Sequence, residues 1–538
     1  MSNKKIKDSI FQKVRKIEKC TGYDTLFKEY YELILEIERE DNVEYIYKVI
    51  YKELSNAPDL IKYTIRILLL WKIRDVDYIS QYLDELLYSD TILWENKYFL
   101  RLQIIMNLFT SPELGDDKVN SLLFEIYNLC TKELIRLIDR KMVYYFSEER
   151  TSDLVFVMTN QFIAMEHGPT KTALDRCYEL IKNQHKNVIL INTAEFNSNT
   201  GRIMLPEYKG CTYCEQLSEL DNIEYMGLKI PFMQFPEDTP NVDALLSVIN
   251  IVEKYKPEFI MHIGGGSIIT DICSNIVPTI SISTVPSGLC TTNGTFQVIG
   301  HKLRDDEIDS LIRQKIDRRS VIEGVFTSSF KQQENIFSKT ELGLPDNKTI
   351  AIVVGARLTS EVTEEFLRVL VSCIPEGLFI VFVGDMENYD ERCTEFQELK
   401  DNSKYLGFQK DVLAVCECCD LYINPYRVGG GTSVIEAMSK GLPAISLDYG
   451  DVALGAGEDF VVNSYDEMKK EIIKYTKDKD YYDKKSKLAL ERVKVMTDTH
   501  EAFSNILHEF YKRIKEYEWE KKANIINGGI CGEWKINK

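Results

Sequence analysis

The sequence predicts an α/β chain: two Rossmann-like domains behind an all-helical N-terminal domain. Three observations carry this. Residues from about 6 to 146 show only helical periodicity, as in Leu33-Ile34-Leu35-x-Ile37 and Ile65-x-Ile67-Leu68-Leu69-Leu70. From residue 153 onward, short continuous apolar runs alternate with amphipathic stretches, the pattern of parallel strands buried on both faces and covered by helices. A polar stretch over 338–348, with Gly343, Pro345, Asp346 and Asn347, divides the alternating part in two. The expected units are a helical accessory or acceptor domain over 1–148, a first α/β domain over 149–340, a second over 341–498, and a C-terminal helix and tail over 499–538.

The helical region has breaks at Asn56-Ala57-Pro58, Ser111-Pro112 and Gly115, which allows six to eight helices. The first strand is Leu154–Met158, followed by a helix over 171–183. Asn187–Asn192, a helix over 243–256, Phe259–Ile263 and Thr279–Ser283 continue the alternation. Residues 203–236 give no firm assignment, although Asn222–Leu228 has strand character. In the second unit the strands are Ile350–Val354, Leu378–Val383, Tyr405–Gly407, Leu421–Asn424 and Ala444–Leu447, with helices near 361–373, 389–399 and 412–418. A final amphipathic helix spans about Thr499–Trp519.

Composition bounds the function. The chain has 538 residues, 44% hydrophobic, with a formal net charge of −18. That charge argues against a general nucleic-acid or anionic-membrane binder. No run reaches the length of a membrane span, and the start, Met-Ser-Asn-Lys-Lys, has no signal-like apolar segment, so a cytoplasmic location is expected. The abundance of Lys, Ile, Tyr and Asn fits an AT-rich bacterial genome. The 13 cysteines are read as small buried residues of a reducing compartment. Cys211/Cys214 and Cys416/Cys418/Cys419 have no matching second pair, and no metal site is expected.

The strongest signal lies at 420–447: a buried strand, the turn Val428-Gly429-Gly430-Gly431-Thr432-Ser433, a helix to about Lys440, and a second buried strand. Glycines allow positive φ and close backbone approach, and the helix start offers free N–H groups to a phosphate. Thr432 and Ser433 add hydroxyls. Glu436, about one turn further, would repel phosphates and suits the hydroxyls of a ribose. A nucleotide-sugar fits this arrangement.

The stretch resembles the donor-binding signature of GT-B glycosyltransferases, in particular the group 1 (GT4-type) pattern. Glu436-Ala437-Met438, Gly441 and Pro443 match it position by position. The glutamate that touches the donor sugar in that pattern falls at Val428 and is missing here. The three glycines with Thr432-Ser433 are equally similar to O-linked N-acetylglucosamine transferases and bacterial cytoplasmic protein glucosyltransferases. The resemblance implies the GT-B architecture, with the last helix crossing back onto the first α/β domain. It also implies Arg357, at the end of a strand, as the cation neutralising a diphosphate leaving group. The second cation of the pattern falls at Val362; Lys331 or Arg427 are substitutes. Leu406-Gly407-Phe408…Asp411 resembles the base-binding loop and favours uracil. Asn424 and Tyr426, just before the turn, complete the expected donor site.

Three features end strands of the first α/β domain: Glu166-His167-Gly168, His262-Ile263-Gly264-Gly265-Gly266-Ser267, and Pro286–Gly294. An acceptor hydroxyl would use His167 or His262 as general base. The expectation is a metal-independent hexosyltransferase that moves a sugar from a UDP-sugar to an acceptor hydroxyl, with a protein favoured and a glycan or lipid-linked sugar open. A non-catalytic subunit of the same fold and a UDP-sugar epimerase are the rivals. No cofactor beyond the UDP-sugar substrate is expected. Peripheral membrane contact, a partner subunit and self-association stay open.

Overall fold

A computed structural model describes residues 59–163, 165, 167–195, 215–235, 242–285, 287–327 and 332–526, with isolated positions before residue 59. Expected helices before residue 59, the Cys211/Cys214 pair, Glu166 and Lys331 lie outside the described residues.

Among the described residues the chain opens with four helices: Asp59–Ile73, Val76–Tyr88, Trp94–Thr110 and Asp117–Ile138. Asp75 and Asp116 cap two of them by accepting backbone N–H bonds. Their apolar faces do not form a separate core. Leu83, Leu86, Leu123, Ile126 and Leu134 pack into one cluster with Phe156, Leu245, Val248, Ile260 and Ile272 of the next unit. Each such side chain, fully buried, contributes about 1.5–3 kcal/mol. The helical region is therefore fused onto the first α/β unit.

That unit is an eight-stranded sheet in the order β3-β4-β2-β1-β5-β6-β7-β8. The strands are β1 Thr151–Thr159, β2 Asn187–Asn192, β3 Asn222–Tyr225, β4 Leu228–Gln234, β5 Pro257–Ile263, β6 Thr279–Ile282, β7 Phe296–Ile299 and β8 Val321–Glu323. All pairs are parallel except the β3/β4 hairpin, which accounts for the strand character of 222–228. The second sheet has six parallel strands in the order β11-β10-β9-β12-β13-β14. They are β9 Thr349–Gly355, β10 Leu378–Gly384, β11 Ser403–Gly407, β12 Leu421–Ile423, β13 Ala444–Leu447 and β14 Val461–Val462.

In both sheets the strand order reverses direction, between β1 and β5 in the first and between β9 and β12 in the second. Ligands of doubly wound sheets bind at such switch points, outside the carboxyl ends of the strands. The last helix, Thr499–Ile526, crosses back as the resemblance implied. Its Phe503, Ile506, Leu507, Phe510 and Ile514 join the core of the first sheet, and Phe510 lies 4.9 Å from Phe259 ring to ring. No helix among the described residues is long and apolar enough to cross a membrane.

Candidate active site

The glycine turn sits at the switch point of the second sheet, directly after β12. Gly430 takes φ 106° and caps the helix Gly431–Ser439. The backbone there needs glycine twice over. A Cβ on Gly430 would lie 2.6 Å from Nη2 of Arg427 and 2.8 Å from its Cζ. A Cβ on Gly355, at the end of β9, would lie 2.5 Å from Nη1 of the same residue. The Arg427 guanidinium is thus held between two glycines, 5% exposed. It donates from Nε to Asn424 Oδ1 at 2.8 Å, from Nη2 to the Tyr422 hydroxyl at 2.8 Å, and from Nη1 to Glu361 Oε2 at 3.1 Å.

This brace uses several of the expected donor-site groups internally. Asn424 is buried; its oxygen receives Arg427 and its amide nitrogen donates to Ser446 Oγ at 3.2 Å. The Ser433 hydroxyl turns inward, donating to the Gly430 carbonyl at 2.8 Å and meeting the Tyr422 hydroxyl at 2.8 Å. Thr432 is exposed at the helix start. Gly429, Gly430 and Gly431 are half-buried. Arg357 stands above the turn, its Nη2 2.9 Å from Glu361 Oε1. One carboxylate therefore serves two guanidiniums beside the helix N-terminus.

Glu436 is half-buried one turn into the helix, and burial pushes its carboxyl up to about 7, with Lys171 pulling it back down and Asp411 pushing it up. Lys171 belongs to the helix Gly168–Lys182 of the first unit, so the two halves meet at this point. They meet again at Asp451, which follows β13. Its Oδ1 accepts the Ser287 backbone N–H at 3.1 Å, and burial raises its carboxyl to about 7. The carboxyl ends of the two sheets thus face one another across a cleft.

Phe408, in the expected base loop, is 80% exposed. Asp411 caps the helix Val412–Cys416 and also accepts the backbone N–H groups of Glu334 and Asn335, which ties the interdomain linker to this loop. Tyr426 stacks on Tyr449, ring centroids 4.4 Å apart and 17° from parallel. Cys416, Cys418 and Cys419 are buried thiols.

The two histidines differ. His262, on β5 between Met158 and Ser281, has no solvent exposure and neither ring nitrogen is hydrogen-bonded; burial lowers its pKa to about 3. The structure does not bring it to the cleft. His167 precedes the Gly168–Lys182 helix, half-buried, with Nδ1 3.3 Å from Thr170 Oγ1; burial lowers its pKa to about 4. Lys171 follows one turn later, so His167 lies on the side of the first unit that meets Glu436.

Several residues at the site carry no motif. Glu361 and Asp451 could be found only by asking which carboxylates follow strand ends of a parallel sheet. Glu195 and Asp271, fully enclosed at the first switch point, share that signal. Glu195 accepts from the Ile269 N–H at 3.0 Å and Thr193 Oγ1 at 2.9 Å, and Asp271 accepts from the Tyr127 hydroxyl at 2.6 Å.

Residues 334–492 match the family model of glycosyl transferases group 1. Among curated proteins, none matches the chain. Among solved structures, a mutant O-GlcNAc transferase from Thermobaculum terrenum is similar with a TM-score of 0.51 and 9% identity, covering 95% of this chain and 98% of that one. A glycosyltransferase from Rickettsia africae gives a TM-score of 0.46 and 12% identity, over 68% of this chain and 99% of that one. HepE from Anabaena, solved with UDP and glucose, gives 0.44 and 13%, over 67% and 99%. The chain thus has the GT-B fold, and its second α/β unit matches the group 1 glycosyl transferase model.

Proposed function

We propose that the protein transfers a hexosyl group from a UDP-sugar to a hydroxyl of a protein acceptor, without a metal ion. The observation that carries this reading is the cradle at the second switch point: a left-handed Gly430 opening a helix, with Arg357 above it and Glu436 one turn inside. The diphosphate lies on the N–H groups of the turn and on Arg357, which stabilise the charge that grows as the glycosidic bond to phosphate breaks. The Glu436 carboxylate accepts hydrogen bonds from the ribose hydroxyls. Phe408 and the 406–411 loop cover the uracil.

His167 is the base that takes the acceptor proton. It has the access that His262 lacks, and burial keeps it neutral at pH 7, with a free lone pair. A leaving diphosphate nearby would raise its proton affinity toward the range where base catalysis is efficient. The helical region favours a protein acceptor, because its Phe109 borders the turn and brings a surface outside the two α/β units to the donor site.

The test is a screen of nucleotide-sugars for slow hydrolysis by the purified chain, read by NMR, with UDP titrated calorimetrically. UDP-sugar turnover and UDP binding are expected. No binding at millimolar UDP would overturn the reading and favour a non-catalytic subunit, which the departures at Val428 and Val362 and the sealed His262 support. Conversion of the donor to an epimer would favour the epimerase.

A further inference from the structure

Phe109 ends the helix Trp94–Thr110, in a region where the sequence carries no motif. Its ring lies under the Arg357 guanidinium, 4.9 Å from Cζ to the ring centroid. The same ring reaches the glycine turn: a Cβ built on Gly429 would meet Phe109 Cζ at 3.9 Å and Arg357 Nη2 at 3.8 Å. Four residues on, Glu113 pairs with Arg74 and acts electrostatically on both Tyr426 and Tyr449. The helical region therefore touches the donor site at Phe109, and Glu113 adds its charge to the field at Tyr426 and Tyr449.

The geometry around Arg357 is directional. The guanidinium carbon lies over the Phe109 ring, and Glu361 takes Nη2 at 2.9 Å. A cation–π contact consumes no N–H donor, and the side chain keeps 29% of its surface open. An arginine on a bare loop would sample many rotamers; this one is held by Phe109 and Glu361, with Nη2 on the side of Gly429.

We propose that Phe109 is a positioning residue for the donor diphosphate. Its ring fixes Arg357 against Gly429–Gly431, so the helical region forms part of the donor site and is more than an appended acceptor module. This rests on the diphosphate reading given above.

The experiment compares UDP and uridine binding to the full chain, by calorimetry and ligand-observed NMR, for wild type, Phe109→Leu and Phe109→Tyr. Loss of the cation–π contact is expected to weaken UDP about five- to tenfold in Phe109→Leu. Uridine, which has no phosphates, should bind all three alike, and Phe109→Tyr should bind UDP as wild type does. If Phe109→Leu does not fold, Phe109→Met replaces it in the same comparison. UDP binding by the Leu or Met variant at wild-type strength or tighter would overturn the inference, the tighter result marking Phe109 as a plug. An equal loss for uridine would also overturn it, as a general structural defect. Failure of the wild type itself to bind UDP would instead remove the donor-site reading, and the inference with it.

Discussion

Replacement of Gly430 by alanine tests the central geometry. The residue sits at φ 106°, where an L side chain is strained by about 1–2 kcal/mol. The new methyl would also fall 2.6–2.9 Å from three atoms of the Arg427 guanidinium. That group cannot step aside freely, because Asn424, Tyr422 and Glu361 hold it at 2.8, 2.8 and 3.1 Å. Moving it breaks at least one charged hydrogen bond, about 1.5–3 kcal/mol. Together the cost is about 2.5–5 kcal/mol, borne either by the fold or by a displaced turn. A thermal melt with and without UDP separates the two. In the first case the melting temperature of the second α/β unit, unfolding as one domain of about 150 residues, falls by about 5–20 °C. In the second it holds and UDP affinity collapses. Gly429→Ala is the control, since its Cβ would meet nothing nearer than 3.8 Å, and its stability should match wild type. A Gly430→Ala protein with unchanged melting temperature and unchanged UDP affinity would refute the close approach of turn and guanidinium.

Three further outcomes are expected. UDP affinity should rise as pH increases from 6 to 8, because burial sets the Glu436 carboxyl at about 7 and only the carboxylate accepts two ribose hydroxyls; Glu436→Gln should flatten that dependence beyond what the phosphate's own titration gives, and an unchanged profile would remove Glu436 from the ribose role. His167→Ala should lower kcat by about 10²–10⁴ with donor KM unchanged, whereas an equal loss from His262→Ala with the protein still folded would reassign the base. Glu195 is buried with its carboxyl raised to about 7, so the native state holds a proton there that the unfolded chain releases near 4.5. Stability should fall as pH rises through that window, by on the order of 2–3 kcal/mol, and Glu195→Gln should show a shallower decline in urea titrations between pH 5 and 7.

The fold was legible where burial is two-sided. Runs such as Ile350–Val354 and Leu378–Val383 become β9 and β10 because a parallel sheet covered on both faces demands continuous apolar residues. The short strands Phe296–Ile299, Val321–Glu323 and Val461–Val462 carry too few residues to show a pattern, and only sheet pairing selects them. The expected helix near 389–399 is two, Tyr389–Glu395 and Gln397–Asn402, and the first leads through Phe396 into the second. At the site, the glycines and Glu436 stood out because backbone conformation and phosphate chemistry restrict the residue type. Asn424 and Ser433 show the limit of that reasoning. Their types fit a ligand equally well, but their direction is set by Arg427 and Tyr422, which spacing along the chain does not reveal. Phe109 gave no signal at all, since its role depends on a contact between positions 109 and 357.

The cations raise a related point. The resemblance left a gap at Val362, where a second basic residue was expected above the diphosphate. Arg427 does fill the vicinity, but from beneath the turn and out of solvent. A lone buried guanidinium would cost several kcal/mol, so it needs a carboxylate before any substrate arrives. Glu361, next to Val362, supplies it and shares its other oxygen with Arg357. The consequence is a division of labour. Arg427 makes the floor of the turn rigid and lends it a positive field, while Arg357 keeps a free edge for direct contact. On this account Arg427→Lys should damage the turn as severely as Gly430→Ala, because an ammonium cannot span Asn424, Tyr422 and Glu361 at once.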